Sequence, residues 1–129
     1  MSVPSSSDAG FRVSSEGNGA ARSIELVDRA LTFDVSESLK GRLREAVRAD
    51  LEAGHRSFVL RLENVETVDS SGVGVLIALH HQVAEQGGAL AVCGASPHVT
   101  KVLRIMKLDR FLTVLPDVER AVRAVSDPV

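Results

Sequence analysis

Apolar and polar positions change period several times along the chain, and each change predicts an element. Phe11-Arg12-Val13-Ser14 alternates, Gly17-Asn18-Gly19 supplies turn residues, and Arg22-Ser23-Ile24-Glu25-Leu26-Val27 alternates again, so the first element is a hairpin. Val35, Leu39, Leu43, Ala46, Val47 and Leu51 then recur at three and four, which predicts a helix capped by Asp34 and stopped at Gly54. Phe58-Val59-Leu60-Arg61-Leu62 has the near-continuous apolar character of a mostly buried strand. The apolar run from Val73 to Leu79 predicts a helix packed on a sheet and ended by Gly87-Gly88, and Ala89 to Cys93 returns to strand.

The last third continues the alternation. Ser96-Pro97 starts a helix whose stripe is Val99, Val102, Leu103 and Met106, with Lys101, Arg104 and Lys107 elsewhere on its solvated surface. Phe111 to Leu115 is a short strand, and Pro116 opens a final helix with Val118, Ala121, Val122 and Val125 inward. Strand and helix in regular succession imply an α/β fold, its sheet containing parallel pairs joined by right-handed crossovers.

At 129 residues the chain fits one domain, and its serine-rich residues 1–10 carry too little apolar content to fold, which leaves a disordered tail before a domain over 11–129. Fifteen lysines and arginines against 17 aspartates and glutamates give a net charge of −2, which offers nothing to nucleic acid. No apolar segment approaches the roughly 18 residues of a membrane helix, and no signal-peptide core is present, so a cytoplasmic protein without membrane insertion is expected. The single cysteine, Cys93, sits in an apolar run and is expected to be a small buried side chain.

The chemistry concentrates in Val65-Glu66-Thr67-Val68-Asp69-Ser70-Ser71-Gly72-Val73-Gly74-Val75-Leu76, where a strand pattern runs into Asp-Ser-Ser-Gly and then a helix. Two hydroxyls therefore fall at a helix N-terminus, where unpaired N–H groups and the macrodipole favour a phosphate. Asp69 is either an N-cap acceptor or a partner contact, and Val73 is either an exposed rim residue or buried against a neighbouring helix. Gly72 is expected to permit a tight turn and close backbone approach. Gly72-Val73-Gly74 is half a dinucleotide fingerprint, but Ile77 stands where the third glycine belongs, and neither a phosphate-loop motif nor a Gly-x-Ser-x-Gly elbow occurs. His80 and His81 are adjacent, so on a helix they point in different directions and lack metal-ligand spacing.

Asp69-Ser70-Ser71-Gly72-Val73-Gly74-Val75-Leu76, followed by Gly87-Gly88-Ala89-Leu90 and Val92-Cys93-Gly94-Ala95-Ser96-Pro97, resembles the STAS domain of the anti-sigma factor antagonist family from about residue 11 onward. The resemblance implies a single STAS domain, a mixed sheet of four to five strands covered by about four helices. It implies a bacterial partner switch: the unphosphorylated form binds an anti-sigma factor, a serine kinase, and frees the sigma factor, and phosphorylation ends the binding. The acceptor falls on Ser70, and Thr32, Asp34, Asp69, Ser71, Gly72 and Val73 fall on the partner-binding surface. A PP2C-type phosphatase resets the switch, and no catalysis or cofactor is implied. The turn after the second strand departs from the family's Gly-x-Leu-Asp: it has Arg29-Ala30-Leu31-Thr32, with Thr32 at the aspartate position and Asp34 two residues on. That departure motivates the alternative of a STAS regulatory or scaffold subunit in another complex, a transport ATPase or a stress-signalling assembly.

Overall fold

The computed structural model describes residues 10–126. Strands β1 (Phe11–Glu16) and β2 (Ala21–Leu26) pair antiparallel, as their alternation predicts. Gly17, Asn18 and Gly19 all take positive φ in the turn between them, a run of left-handed backbone that only glycine and asparagine adopt readily. Residues 1–9 of the expected tail lie outside the described residues. Its last member, Gly10, belongs to the fold: it is buried, and its carbonyl accepts from the Val27 N–H at 3.0 Å.

A two-residue strand β3 (Ala30–Leu31) leads into α1 (Phe33–Glu52). The helix begins two residues earlier than its apolar stripe suggests. Thr32, not Asp34, occupies the N-cap position, and the Thr32 side chain makes no cap hydrogen bond. Asp34 lies exposed in the first turn because the chain turns helical at Phe33. Leu39, Leu43, Val47 and Leu51 are buried as the three-and-four spacing requires.

Strand β4 (Ser57–Arg61), a two-residue β5 (Thr67–Val68), helix α2 (Ser70–Glu85), strand β6 (Ala89–Cys93), helix α3 (Pro97–Ile105), strand β7 (Thr113–Leu115) and helix α4 (Val118–Ser126) complete the chain. The main sheet has the order β1-β2-β4-β6-β7, antiparallel at β1–β2 and parallel thereafter. Strand alternation divides the core. Ile24, Leu26, Phe58, Leu60, Leu90 and Val92 face one large core with α1, α2 and α3, while Ala21, Val59, Ala91 and Cys93 face α4 around Ala121. Small residues on the α4 side let that helix approach closely, and the Ser57 hydroxyl donates to the Val125 carbonyl at 2.8 Å.

Two boundaries differ from the sequence pattern. Phe111 and Leu112 are not strand: Leu108–Arg110 forms a 3₁₀ turn, and the Leu112 N–H bonds back to the Leu108 carbonyl at 2.7 Å before β7 begins. The final helix starts at Val118, with the Asp117 carboxylate accepting from the Arg120 N–H at 2.8 Å. The small sheet of β3 and β5 had no legible pattern, since two residues cannot display a period.

Helix α2 is apolar on several sides because it is the central helix. Val73, Val75, Leu76, Leu79 and Val83 all enter the large core, with α1 on one side and the Phe111 segment on another. Burial of each such side chain stabilises the fold by about 1.5–3 kcal/mol.

Candidate functional site

The site is assembled where two short strands bring two helix starts together. Ala30 and Leu31 of β3 pair in parallel with Thr67 and Val68 of β5, and the Arg29 carbonyl accepts from the N–H groups of Glu66 (2.6 Å) and Thr67 (3.2 Å). The Asp69 N–H continues this ladder to the Leu31 carbonyl at 3.3 Å. The segments entering α1 and α2 therefore run side by side.

Asp69 locks them. One carboxylate oxygen accepts from the Ser71 N–H (2.9 Å) and the Gly72 N–H (3.1 Å) at the start of α2, and the other accepts from the Phe33 N–H (3.1 Å) at the start of α1. A single carboxylate thus satisfies orphan donors of two helices and lies at the positive end of both dipoles. This explains why Thr32 needs no side-chain cap: Asp69 supplies the acceptor from across the site.

Gly72 makes the close approach possible. A Cβ at this position would lie 2.1 Å from the Leu31 carbonyl oxygen, 2.7 Å from Val68 Cγ2 and 2.9 Å from Leu31 Cγ. The first contact is with backbone that is itself committed to the Asp69 bond, so it has no room to give. The expected close backbone approach is present, with Gly72 in ordinary helical conformation.

What remains at the surface is small. Ser70 is exposed at the first position of α2, its hydroxyl free of hydrogen bonds to the described residues, and Ser71 beside it is half-buried. Thr32 is half-buried, Asp34 is exposed, and Phe33 is 65% exposed despite its size. The structure thus brings Thr32, Phe33 and Asp34 alongside Asp69, Ser70 and Ser71. Val73, for which the sequence left an exposed rim and burial against a neighbouring helix both open, is 2% exposed and belongs to the core, because α2 packs on more than one side; the partner-surface role implied by the resemblance does not fit it. Phe33 was the residue missed. The sequence pattern started α1 after Asp34, which left Phe33 outside the helix and gave its exposure no periodic signal.

The charge arrangement also corrects an expectation. Two of the N–H groups that were to welcome a phosphate are already bonded to Asp69. A phosphoryl group on Ser70 becomes a second anion beside a carboxylate, directed outward. The same occupancy argues against a free phosphate ligand at this helix start.

Other candidates fall away from this place. His80 and His81 do not diverge as adjacency suggested: their ring centroids are 5.8 Å apart, and both rest on Phe111, at 4.7 and 5.5 Å. Burial, and then the neighbouring His81, pull the His80 imidazole below its ordinary range. Cys93 is buried against the α4 side of the sheet, and desolvation, with Glu63 adding repulsion, pushes its thiol up to about 12, so it is chemically quiet at neutral pH. A surface cleft of about 410 Å³ lies along the C-terminal halves of α1 and α2, lined by residues including Arg48, Leu51, Gln82 and Glu85, and includes none of Thr32, Asp69 or Ser70.

Residues 23–121 match the STAS domain family. The chain belongs to that family. This STAS domain is 30% identical over 70 residues to the anti-sigma F factor antagonist of Paenibacillus polymyxa, a match covering 54% of this chain and 57% of that protein. The chain spans 57–66% of the length of the first curated relatives it matches. An anti-sigma-factor antagonist (STAS) domain protein from Planctomyces limnophilus superposes with a TM-score of 0.77 at 24% identity, covering 91% of this chain and 98% of that one. SpoIIAA of Bacillus in its phosphorylated form superposes with a TM-score of 0.61 at 18% identity, covering 88% and 98%. At such identities the structural likeness is one of fold.

The double cap has a direct test. Asp69→Asn turns one acceptor oxygen into an NH₂ donor, which must face either the Phe33 N–H or the Ser71 and Gly72 N–H groups. Stability should fall by about 1–3 kcal/mol, read as a lower urea midpoint. An unchanged midpoint would show that neither helix start depends on this carboxylate.

Proposed function

We propose that this STAS domain is an anti-sigma factor antagonist working as a phosphorylation-controlled partner switch, with Ser70 as the phosphoacceptor. The observation that carries the reading is the exposure of the Ser70 hydroxyl on a scaffold fixed by Asp69 and Gly72. A group added there changes the surface without entering the core. Anti-sigma factor antagonists among its relatives, and a phosphorylated protein of the same fold, support it.

In this reading the unphosphorylated domain covers an anti-sigma factor, a serine kinase, with the patch formed by Thr32, Phe33, Asp34, Asp69, Ser70 and Ser71, and the sigma factor is released. The kinase phosphorylates Ser70. The phosphoserine brings about −1.5 to −2 charges next to Asp69, and repulsion with steric bulk ends the contact. A PP2C-type phosphatase restores the binding form. The domain supplies surface and acceptor, and the chemistry belongs to its partners.

Thr32 gives a specific reason to keep a second reading, a regulatory subunit of a transport ATPase or stress-signalling assembly, because the family's aspartate is absent from the loop that Asp69 ties to the site. Purification of the chain from its host with bound partners, followed by phosphopeptide mapping, separates the two. Phosphate on Ser70 and a co-purifying serine kinase are expected. An unmodified Ser70 in a complex with a transport ATPase would support the regulatory subunit instead.

A further inference from the structure

The end of α3 and the 3₁₀ turn after it form a surface that the Ser70 reading does not use. Of the four exposed large apolar side chains among the described residues, three fall within 105–111: Ile105 (67% exposed), Met106 (43%) and Phe111 (41%). Four cations, Lys101, Arg104, Lys107 and Arg110, are exposed in the same stretch, and none forms an ion pair with the described residues. Elsewhere Arg12, Arg22, Arg29, Arg48, Arg61 and Arg120 have carboxylate partners, and the cations outside the patch that lack one, Lys40, Arg44, Arg56 and Arg123, are not gathered beside exposed apolar side chains within one short stretch. No aspartate or glutamate occurs from Gln86 to Leu108, and Asp109 is the one acidic residue inside the patch. A local excess of +3 therefore stands on a chain whose net charge is −2.

The patch is held rigidly. Lys101 and Ile105 lie one turn apart on α3 and share a face. Lys107 takes a left-handed conformation at φ 62°, which a non-glycine residue holds at a cost of about 1–2 kcal/mol, and this bend joins the helix to the 3₁₀ turn. Phe111 is braced by the rings of His80 and His81. Both α2 and α3 start at the C-terminal edge of the parallel strands and run back along them. At about 1.5 Å per residue, His80 lies roughly 15 Å down α2 from Ser70, well beyond the switch.

We propose that this face docks an acidic amphipathic segment of a protein partner, independently of phosphorylation at Ser70. Such a segment places apolar side chains against Ile105, Met106 and Phe111 and carboxylates against the four unpaired cations, and each half of the patch asks for one half of that chemistry. A membrane fits less well. The apolar face of α3, Val99 and Leu103, is buried in the core and is not available to insert, while the whole chain is net negative. Nucleic acid would meet three apolar side chains where phosphates require donors.

The test uses the full chain and a display library of random peptides about sixteen residues long. Selection should enrich sequences that combine acidic residues with leucine, isoleucine or phenylalanine at helical spacing. Their affinity should fall at least about tenfold for the triple variant Lys101→Glu, Arg104→Glu, Lys107→Glu, and by a similar factor for Ile105→Ser with Phe111→Ser. It should remain unchanged in Ser70→Asp, and circular dichroism should show the variants folded. Failure to enrich any peptide over an albumin control would overturn the proposal, as would peptides that bind the charge-reversed variant equally well. Sedimentation of the chain with equimolar phosphatidylcholine and phosphatidylglycerol vesicles, lost in the same charge variant, would overturn it in favour of a lipid surface.

Discussion

Gly72→Val should unfold the start of α2 and cost the domain at least about 3 kcal/mol, the upper end of ordinary overpacking penalties or beyond. The magnitude follows from what the new Cβ meets. The Leu31 carbonyl oxygen at 2.1 Å is backbone, and it already accepts from the Asp69 N–H, so relief requires separating β3 from β5. That separation would take the Asp69 caps on both helices with it. For a domain of this size a loss of 3 kcal/mol lowers the melting temperature by roughly 10 °C. Gly74, two residues on, is the control: nothing lies within 4 Å of its Cβ position, and Gly74→Ala should be neutral or stabilising by up to about 1 kcal/mol. Thermal melts of the two variants side by side decide the matter, and equal melting temperatures would mean that the contact between Gly72 and Leu31 is not a constraint.

Ser70→Asp should leave the fold intact and weaken the anti-sigma partner by about 30- to 1000-fold, which corresponds to roughly 2–4 kcal/mol of lost binding. Stability is spared because Ser70 is exposed and its hydroxyl has no bond to lose. Binding suffers because the added carboxylate stands next to Asp69, which already occupies two of the helix-start N–H groups that could otherwise neutralise it. Ser70→Ala should bind as tightly as the unmodified chain and accept no phosphate. Titration calorimetry with both variants checks this, and matching affinities for Ser70→Asp and Ser70→Ala would remove charge as the basis of the switch.

The elements that span several turns or a full strand were legible because their periods are long enough to register. Alternation in β1 and β2, the stripe of α1 and the near-continuous runs of β4, β6 and α2 each report burial on a defined number of faces. The capping of α3 by Ser96 was readable for the same local reason: its hydroxyl accepts from the Val99 N–H at 3.1 Å, an acceptor within three residues of its donor. What escaped was non-local or too short. β3 and β5 have two residues each, and their pairing joins positions about 37 residues apart, with no sequence signature. Asp34 is the nearest side chain in sequence that suits the cap of α1, whereas the acceptor that serves that helix is Asp69, brought in by tertiary structure. Within the Asp-Ser-Ser-Gly motif the capping role of Asp69 and the close approach at Gly72 were among the legible alternatives, whereas the reach of the same Asp69 carboxylate to the start of α1 was not. A phosphate-friendly helix start was read from the sequence without knowing that a carboxylate already occupied it.

The most direct test of the switch compares phosphate at Ser70 in two pools of the same preparation. The chain purified from its host is separated by gel filtration into partner-bound and free fractions, and peptide mass spectrometry measures occupancy in each. A switch that works by ending the contact predicts phosphate at Ser70 confined to the free fraction. Equal occupancy in both fractions, or phosphate only on other residues, would contradict it.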